Sequence, residues 1–228
     1  MLKFLLLSLA FLALFALAEL LYRRFKMQAE HSRKLVHIGT GLLTLLFPLM
    51  LRSHWEVLFL CAGFAGILFL SQRFGLLPSI NAIKRRSHGS LCYPLAVWAS
   101  FWVYEKMAQK PDLDIPAIHY FYVPVLVMAL CDPAAALVGR RWPIVKFKVG
   151  AGTKSLAGML AFFGVAMLLT ASLLLAAQPV DAPLSRVLFV SAVLSLSTCL
   201  TEAFTPFGLD NITIPAVTIG TLLLLENV

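Results

Sequence analysis

Asp132 is an ionisable residue within a largely apolar run, residues 115–138. A carboxylate at membrane depth is costly, and it is usually kept because something polar must be bound there. Pro133 follows directly and has no backbone N–H, so we expect the helix to open locally and to expose carbonyl groups that lipid could not satisfy. An opened helix that carries an acid usually lines a cavity. This pattern therefore predicts a polar site inside a membrane domain.

Five cations follow this acid within one short stretch, and their side chains are natural partners of a polyphosphate. They are Arg140, Arg141, Lys146, Lys148 and Lys154. Residues 150–155 precede an apolar run, so we expect them to open a helix and to aim free N–H groups and the positive end of its dipole at the same region. The stretch predicts a phosphate-binding site that includes Lys154 and Ser155. The alternative for Lys146 and Lys148 is a solvated loop that only sets membrane orientation.

Two further acids and an amide lie at the adjoining ends of the last two apolar runs: Glu202, Asp210 and Asn211. Magnesium prefers one or two carboxylates together with substrate phosphates and water. With Asp132, these residues therefore predict a site for a nucleotide-bound Mg²⁺ ion. The alternative is that each acid pairs with a nearby Arg or Lys and fixes helix packing.

Lys34 and His37 lie three residues apart at the start of another apolar run, so they share one face of a helix. Lys34 is a candidate phosphate ligand. His37 is a candidate catalytic residue, as a proton carrier or a phosphate donor, and the alternative is an interfacial histidine without chemistry.

The composition identifies an integral membrane protein. Of 228 residues, 60% are hydrophobic and only 13% are charged, whereas soluble domains carry about a quarter charged residues. Long unbroken apolar runs favour helices over barrel strands, and their Phe residues are expected to face lipid or to pack. The net charge of +8 is better explained by loop orientation than by nucleic-acid binding. Four cysteines without CxxC spacing predict neither a disulfide framework nor a zinc site.

The fold class expected is all-α and polytopic, with about eight transmembrane helices and seven as the alternative, because the last run is short. The apolar runs are residues 2–22, 35–51, 55–70, 90–107, 115–138, 155–177, 184–201 and 212–225. They form one domain, 1–228, in which 1–30 is a peripheral first helix and loop and 31–228 is the core. The first run is expected to be retained, with a cleaved signal peptide as the alternative.

The distribution of Lys and Arg predicts the orientation. Fourteen of the 19 lie in residues 23–34, 72–89 and 140–154. The positive-inside rule places these loops in the cytoplasm and both termini outside. All the candidate chemical groups then collect at the cytoplasmic face.

Four segments in this order resemble the family of dolichol kinases, phytol kinases and CTP-dependent diacylglycerol kinases, distant relatives of the phosphatidate cytidylyltransferases. They are residues 33–38, 132–140, 154–158 and, as the fourth, 202–203 together with 210–215. The resemblance implies transfer of the γ-phosphoryl group of CTP or another nucleotide, with Mg²⁺, to a lipid alcohol such as phytol, farnesol, geranylgeraniol or a polyprenol. It implies that Asp132 holds the metal or orients the hydroxyl, and that Lys154 and Arg140 clamp phosphates. A bacterial plasma membrane is the expected location.

Two other functions remain open from the sequence. A cytidylyltransferase would use a similar site but would release pyrophosphate and form a CDP-lipid. A transporter of an anionic solute would use Asp132 as a coupling group, and it would be expected to show an internal repeat of interrupted helices.

Overall fold

The computed structural model describes residues 2–81, 89–150, 152–177, 183–206 and 208–227. Within these ranges the chain is almost entirely helical, with one small antiparallel sheet. The helices are α1 (Leu2–Arg24), α2 (Ala29–Thr44), α3 (Phe47–Met50), α4 (His54–Arg73), α5 (Pro78–Asn81), α6 (Gly89–Met107), α7 (His119–Leu126), α8 (Asp132–Arg141), α9 (Leu156–Ala177), α10 (Leu184–Phe204) and α11 (Asp210–Leu224). The strands are β1 (Lys146–Val149) and β2 (Gly152–Ser155).

The all-α, polytopic fold is confirmed, because each predicted apolar run corresponds to a helix or to one continuous helical segment, except that the run 35–51 is divided between α2 and α3. In the described ranges, five segments are long and apolar enough to cross a membrane: α1, α4, the continuous segment His119–Arg141, α9 and α10. The remaining predicted crossings correspond to α2, α6 and the shorter apolar α11. The number of crossings and their orientation stay predictions, and the basic residues Lys84, Arg85 and Arg86 lie outside the described ranges.

The segment His119–Arg141 runs through the middle of the bundle and contacts α2, α6, α9 and α11. It opens into a π-helical turn at Val127–Cys131, immediately before Asp132. Pro133 has no N–H to donate to the carbonyl four residues earlier, so the regular ladder is interrupted at this point. The predicted local opening of the helix is therefore present.

The prediction that residues 150–155 open a helix is confirmed only at its last residue, because most of the stretch forms a strand and Ser155 caps the helix that follows. Gly152–Ser155 is strand β2, and it pairs with β1 so that Phe147 lies opposite Lys154 and Lys148 opposite Thr153. The sequence Lys146–Val149 alternates polar and apolar residues, which is the period of a half-buried strand. Helix α9 begins only at Leu156, and the Ser155 hydroxyl accepts a hydrogen bond from the N–H of Gly158, which caps this helix.

Polar side chains tie the helices together at both ends of the bundle. At one end, the bonded pairs include Glu30 with Arg140, Glu202 with Lys154, and Gly89 with Asn211. At the other end, they are His54 with Glu105, Asp114 with Arg186, and Tyr120 with Glu226. The candidate chemical groups therefore collect at a single end, as the sequence predicts.

Glu226 fastens the C-terminal end of the chain at the opposite end from these groups. It is 8% exposed and accepts hydrogen bonds from the N–H groups of Asp114 and Ile115, at 2.8 and 3.3 Å, and from the Tyr120 hydroxyl. We expect Glu226→Ala to destabilise the fold by about 3 kcal/mol, because three donors lose their acceptor in a buried place. Thermal unfolding in detergent measures this effect.

Asp114→Ala is the matched control for this substitution. Its carboxylate lies in the same region but is 49% exposed, and it makes an ion pair with Arg186. Exposed ion pairs contribute about 0.5 kcal/mol or less, so the unfolding temperature should barely change. Equal effects of the two substitutions on the unfolding temperature would show that burial of the Glu226 hydrogen bonds does not add to stability.

Candidate functional site

A cavity of about 990 Å³ opens at the end of the bundle where the candidate chemical groups collect. Ten of the residues predicted from the sequence line it: Lys34, His37, Asp132, Arg140, Lys146, Lys154, Ser155, Glu202, Asp210 and Asn211. Two do not. Arg141 is exposed, with its guanidinium over the Trp142 ring, and Lys148 is exposed on β1. Their assignment as phosphate ligands stays a prediction.

Asp132 lies at the first position of α8, directly after the π turn, with its carboxylate in the cavity wall. Within the described ranges this carboxylate makes no hydrogen bond and no ion pair. Its electrostatic neighbours are Lys34 and His37 on α2, together with Glu202 and Asp210. An acid without a bonded partner in a membrane bundle is poised to bind something that the chain does not itself supply.

Lys154 and Glu202 form a buried ion pair between the hairpin and the end of α10. The ammonium lies 2.7 Å from the carboxylate oxygen and also donates to the backbone carbonyl of Glu202. The side chains are 21% and 8% exposed. The strand register explains the arrangement, because Lys154 lies opposite half-buried Phe147 and residues paired across two strands share a face.

Lys34 presents an unpartnered charge to the same cavity. Its ammonium nitrogen is buried and has no hydrogen-bond partner among the residues that the structure describes. Asp132, Glu30 and Arg140 are its charged neighbours. A buried ammonium group without a hydrogen-bond acceptor is suited to an anionic ligand, because leaving it unmatched is costly.

His37 lies one turn further along α2 and is held between two structural partners. Its Nε2 atom lies 3.0 Å from the carbonyl of Met128, a group of the π turn, so this nitrogen must carry the proton. The ring also packs edge-on against Tyr93, whose hydroxyl donates to the backbone carbonyl of His37. These contacts hold the His37 ring against the opened helix. A catalytic role stays a prediction.

Comparison with known proteins identifies the enzyme class. A phytol kinase from Synechocystis sp. is 32% identical to this chain over 198 residues, which cover 87% of this chain and 80% of the relative. The chain belongs to the phytol kinase family. As a member of this family it is an integral membrane enzyme, a kinase that transfers phosphate from a nucleotide to a lipid alcohol. No protein-family model matches the sequence, and no solved structure matches it.

In this phytol kinase family member, the described part of the chain alone does not supply enough ligands for a metal ion, so phosphates of the nucleotide and water would have to supply the others. Across the residues that the structure describes, no group of three or more His, Cys, Asp or Glu side chains could hold a metal ion. Asp132, Glu202 and Asp210 nevertheless line one cavity and lie within electrostatic range of one another. This set fits Mg²⁺, which takes one or two carboxylates and fills its other positions with phosphates and water. Asn211 is less available, since its amide nitrogen donates to the carbonyl of Gly89.

Helices α8 and α9 pack closely against each other beside the site, where Gly139 of α8 faces Gly158 of α9. A Cβ atom on Gly158 would lie 2.9 Å from the backbone oxygen of Ala135. We expect Gly158→Ala to destabilise the protein by about 2 kcal/mol, because backbone atoms must move apart. Kinase activity should also fall, since α8 carries Asp132 and β2 carries Lys154.

Gly164→Ala provides the control on the same helix. Among the described residues, nothing lies within 4 Å of a Cβ atom placed there. Replacing a helical glycine by alanine in open space should stabilise by about 0.5–1 kcal/mol. Unfolding temperature and kinase rate, measured for both variants, test whether the close packing of α8 against α9 requires glycine at position 158. A Gly158→Ala variant as stable and active as Gly164→Ala would contradict it.

Two parts of this candidate site were missed by sequence reasoning. Glu30 accepts hydrogen bonds from Arg140 at 2.5 Å and from Arg33 at 3.4 Å; its place in the first turn of a helix was the available signal. The second part is an apolar extension of the cavity. Phe11, Phe15 and Phe64 line this apolar cavity, whereas the expectation was only that Phe residues face lipid or pack against other residues. Composition does not separate these two environments, because both are apolar.

Proposed function

We propose that the protein transfers the γ-phosphoryl group of CTP, with Mg²⁺, to the hydroxyl of an isoprenoid alcohol such as phytol, farnesol or geranylgeraniol. The observation that carries the proposal is one cavity with two chemically different ends. Cations and acids line the end that opens between α2, α8 and α10, and aromatic and aliphatic side chains line the rest. A nucleotide triphosphate suits the first end and a hydrocarbon tail suits the second.

The cations of the polar end would hold the phosphates. Lys34 is the strongest candidate, because its buried ammonium has no hydrogen-bond partner in the described part of the chain. Lys154 already has Glu202 as a buried counter-ion, so it is held in position before the nucleotide binds, and Arg140 pairs with Glu30 at the more exposed edge of the site. A preorganised cationic clamp stabilises the charge that spreads over the transferred phosphoryl group.

The acids would serve the acceptor and the metal. In the transfer, the alcohol oxygen forms a bond to the γ-phosphorus while the bond to the oxygen that bridges to the β-phosphate breaks, and CDP leaves with that electron pair. Asp132, which is free of bonded partners within the described ranges, would orient the hydroxyl and take its proton. Asp210, with Glu202 beside it, would hold Mg²⁺, which would neutralise charge on the phosphates.

The same geometry supports a proposed orientation in the membrane. The isoprenoid tail would enter sideways from the bilayer, and CTP would arrive from the water at the polar end. With the basic residues of that end in the cytoplasm, both termini lie outside. We propose the bacterial plasma membrane as the location.

Phosphate transfer by the purified protein in detergent tests the function. Either γ-labelled CTP or ATP is offered with Mg²⁺ to a panel of isoprenoid alcohols and diacylglycerol. Label should appear in an isoprenoid monophosphate, with CTP as the better donor. Label that appears only from ATP would show that CTP is not the donor. Label that appears only in diacylglycerol would show that an isoprenoid alcohol is not the acceptor. Release of pyrophosphate with formation of a CDP-lipid would overturn the transfer itself.

A further inference from the structure

The apolar part of the cavity is an arm that follows one face of α2. Lys34, His37, Thr40 and Thr44 line the cavity at spacings of three and four residues, and Phe47 continues the line at the start of α3. Such spacing places side chains one above another along a helix. The line changes from a cation to hydroxyl groups and then to an aromatic ring. From Lys34 to Thr44 the helix rises about 15 Å, so the arm reaches deep into the bundle.

The sides of the arm come from α1, α4 and α6. Phe11 and Phe64 pack against each other at 5.0 Å between ring centroids, and Cys61 and Val97 add small and branched side chains. The arm is suited to a hydrocarbon tail, because burying apolar surface there is favourable and burying an unbonded polar group is not.

Phe47 closes the arm at its far end. The ring is 1% exposed, stacks on Phe121 at 6.3 Å and meets Phe11 edge-on at 6.0 Å. Phe121 is itself fully buried and packs against Phe101. Because Phe121 packs against the side of Phe47 that faces away from the arm, and Phe101 packs against Phe121, a longer tail cannot displace Phe47 without disturbing the core.

We propose that Phe47 is the floor of the hydrocarbon arm and sets the longest isoprenoid tail that the enzyme accepts. The inference rests on the proposed function, since it concerns the tail of the lipid-alcohol substrate. Tails that end above Phe47 bind fully within the arm. A tail with one isoprene unit too many meets the ring and holds its hydroxyl away from Asp132.

The test is a competition assay with a series of prenols that differ by one isoprene unit, in which the length of each phosphorylated product is measured. For the wild-type protein, kcat/KM should fall sharply beyond one length. Phe47→Ala should raise kcat/KM for the first excluded prenol by about tenfold or more, since one methylene in an apolar pocket already changes specificity by roughly tenfold. Phe59→Ala, on a ring of α4 that is 70% exposed, is the matched control and should leave the profile unchanged.

A second variant moves the limit in the opposite direction and creates no void. Cys61 is a free, buried thiol in the wall of the arm, and Cys61→Phe should exclude the longest prenol that the wild-type protein accepts. If Phe47→Ala does not fold, Phe47→Leu replaces it. If the wild-type protein phosphorylates prenols but neither the Phe47 nor the Cys61 variants change the longest prenol accepted, Phe47 does not set the tail length. If the wild-type protein phosphorylates no prenol, the proposed function fails and the inference fails with it.

Discussion

Asp132→Asn is expected to lower kcat for phosphate transfer by about a thousandfold, the range seen when a group that handles a proton is removed. The substitution keeps the size of the side chain and removes its charge. Because Asp132 makes no hydrogen bond or ion pair within the described ranges, no partner is left unsatisfied. The unfolding temperature in detergent should therefore stay constant or rise. The measurements are initial rates with labelled CTP and thermal unfolding of the same preparation.

Asp112→Asn is the control for this charge removal. Asp112 is exposed at the opposite end of the bundle and has a positive φ of 53°, which asparagine tolerates well. It should change neither rate nor stability. A fully active Asp132→Asn variant would remove this acid from the mechanism, and the site would then have to depend on Glu202 and Asp210.

Lys154→Met should lower both stability and activity, for two separable reasons. The substitution leaves the buried carboxylate of Glu202 without its counter-ion, which is expected to cost about 3 kcal/mol. It also removes a cation from the proposed phosphate clamp, which should lower kcat/KM by about a hundredfold. Thermal unfolding and CTP-dependent kinetics measure the two effects on one protein.

The double variant Lys154→Met, Glu202→Gln separates structure from catalysis. Removing both charges leaves no buried ion unpaired, so most of the lost stability should return. Activity should stay low, because the phosphate clamp is still incomplete and the proposed Mg²⁺ site has lost the charge of Glu202. Lys110→Met, an exposed lysine at the other end of the bundle, is the control and should behave as the wild-type protein. Recovery of activity in the double variant would show that Lys154 only balances Glu202.

The positions of the long helices could be predicted from the sequence because of a strong physical constraint. A segment in hydrocarbon must satisfy its own backbone hydrogen bonds and needs about 20 apolar residues to cross. Such runs are visible without knowledge of packing. The gathering of Asp132, Lys154 and Glu202 could be predicted as well, because each charge lies within or next to the terminal turns of a run and alternate ends meet on one side.

The hairpin and the hydrocarbon arm could not be predicted with the same rules. Each strand has only four residues, and their basic composition is equally typical of a solvated loop. Phe11 and Phe64 are in runs that would look the same if every ring faced lipid, since lipid tails and a tail-binding cavity favour the same side chains. Only the packing of α1 against α4 shows that these rings enclose a space.

The π turn at Val127–Cys131 changes the direction in which the side chains after it point around the axis of the central helix. Each residue of an α-helix turns the chain by about 100°, so one additional residue within a single turn rotates everything that follows by that angle. The half that begins at His119 keeps its buried faces towards the core, and the half that begins at Asp132 is aimed independently. Selection could therefore refine the direction of the acid while the deep packing of the helix stayed unchanged.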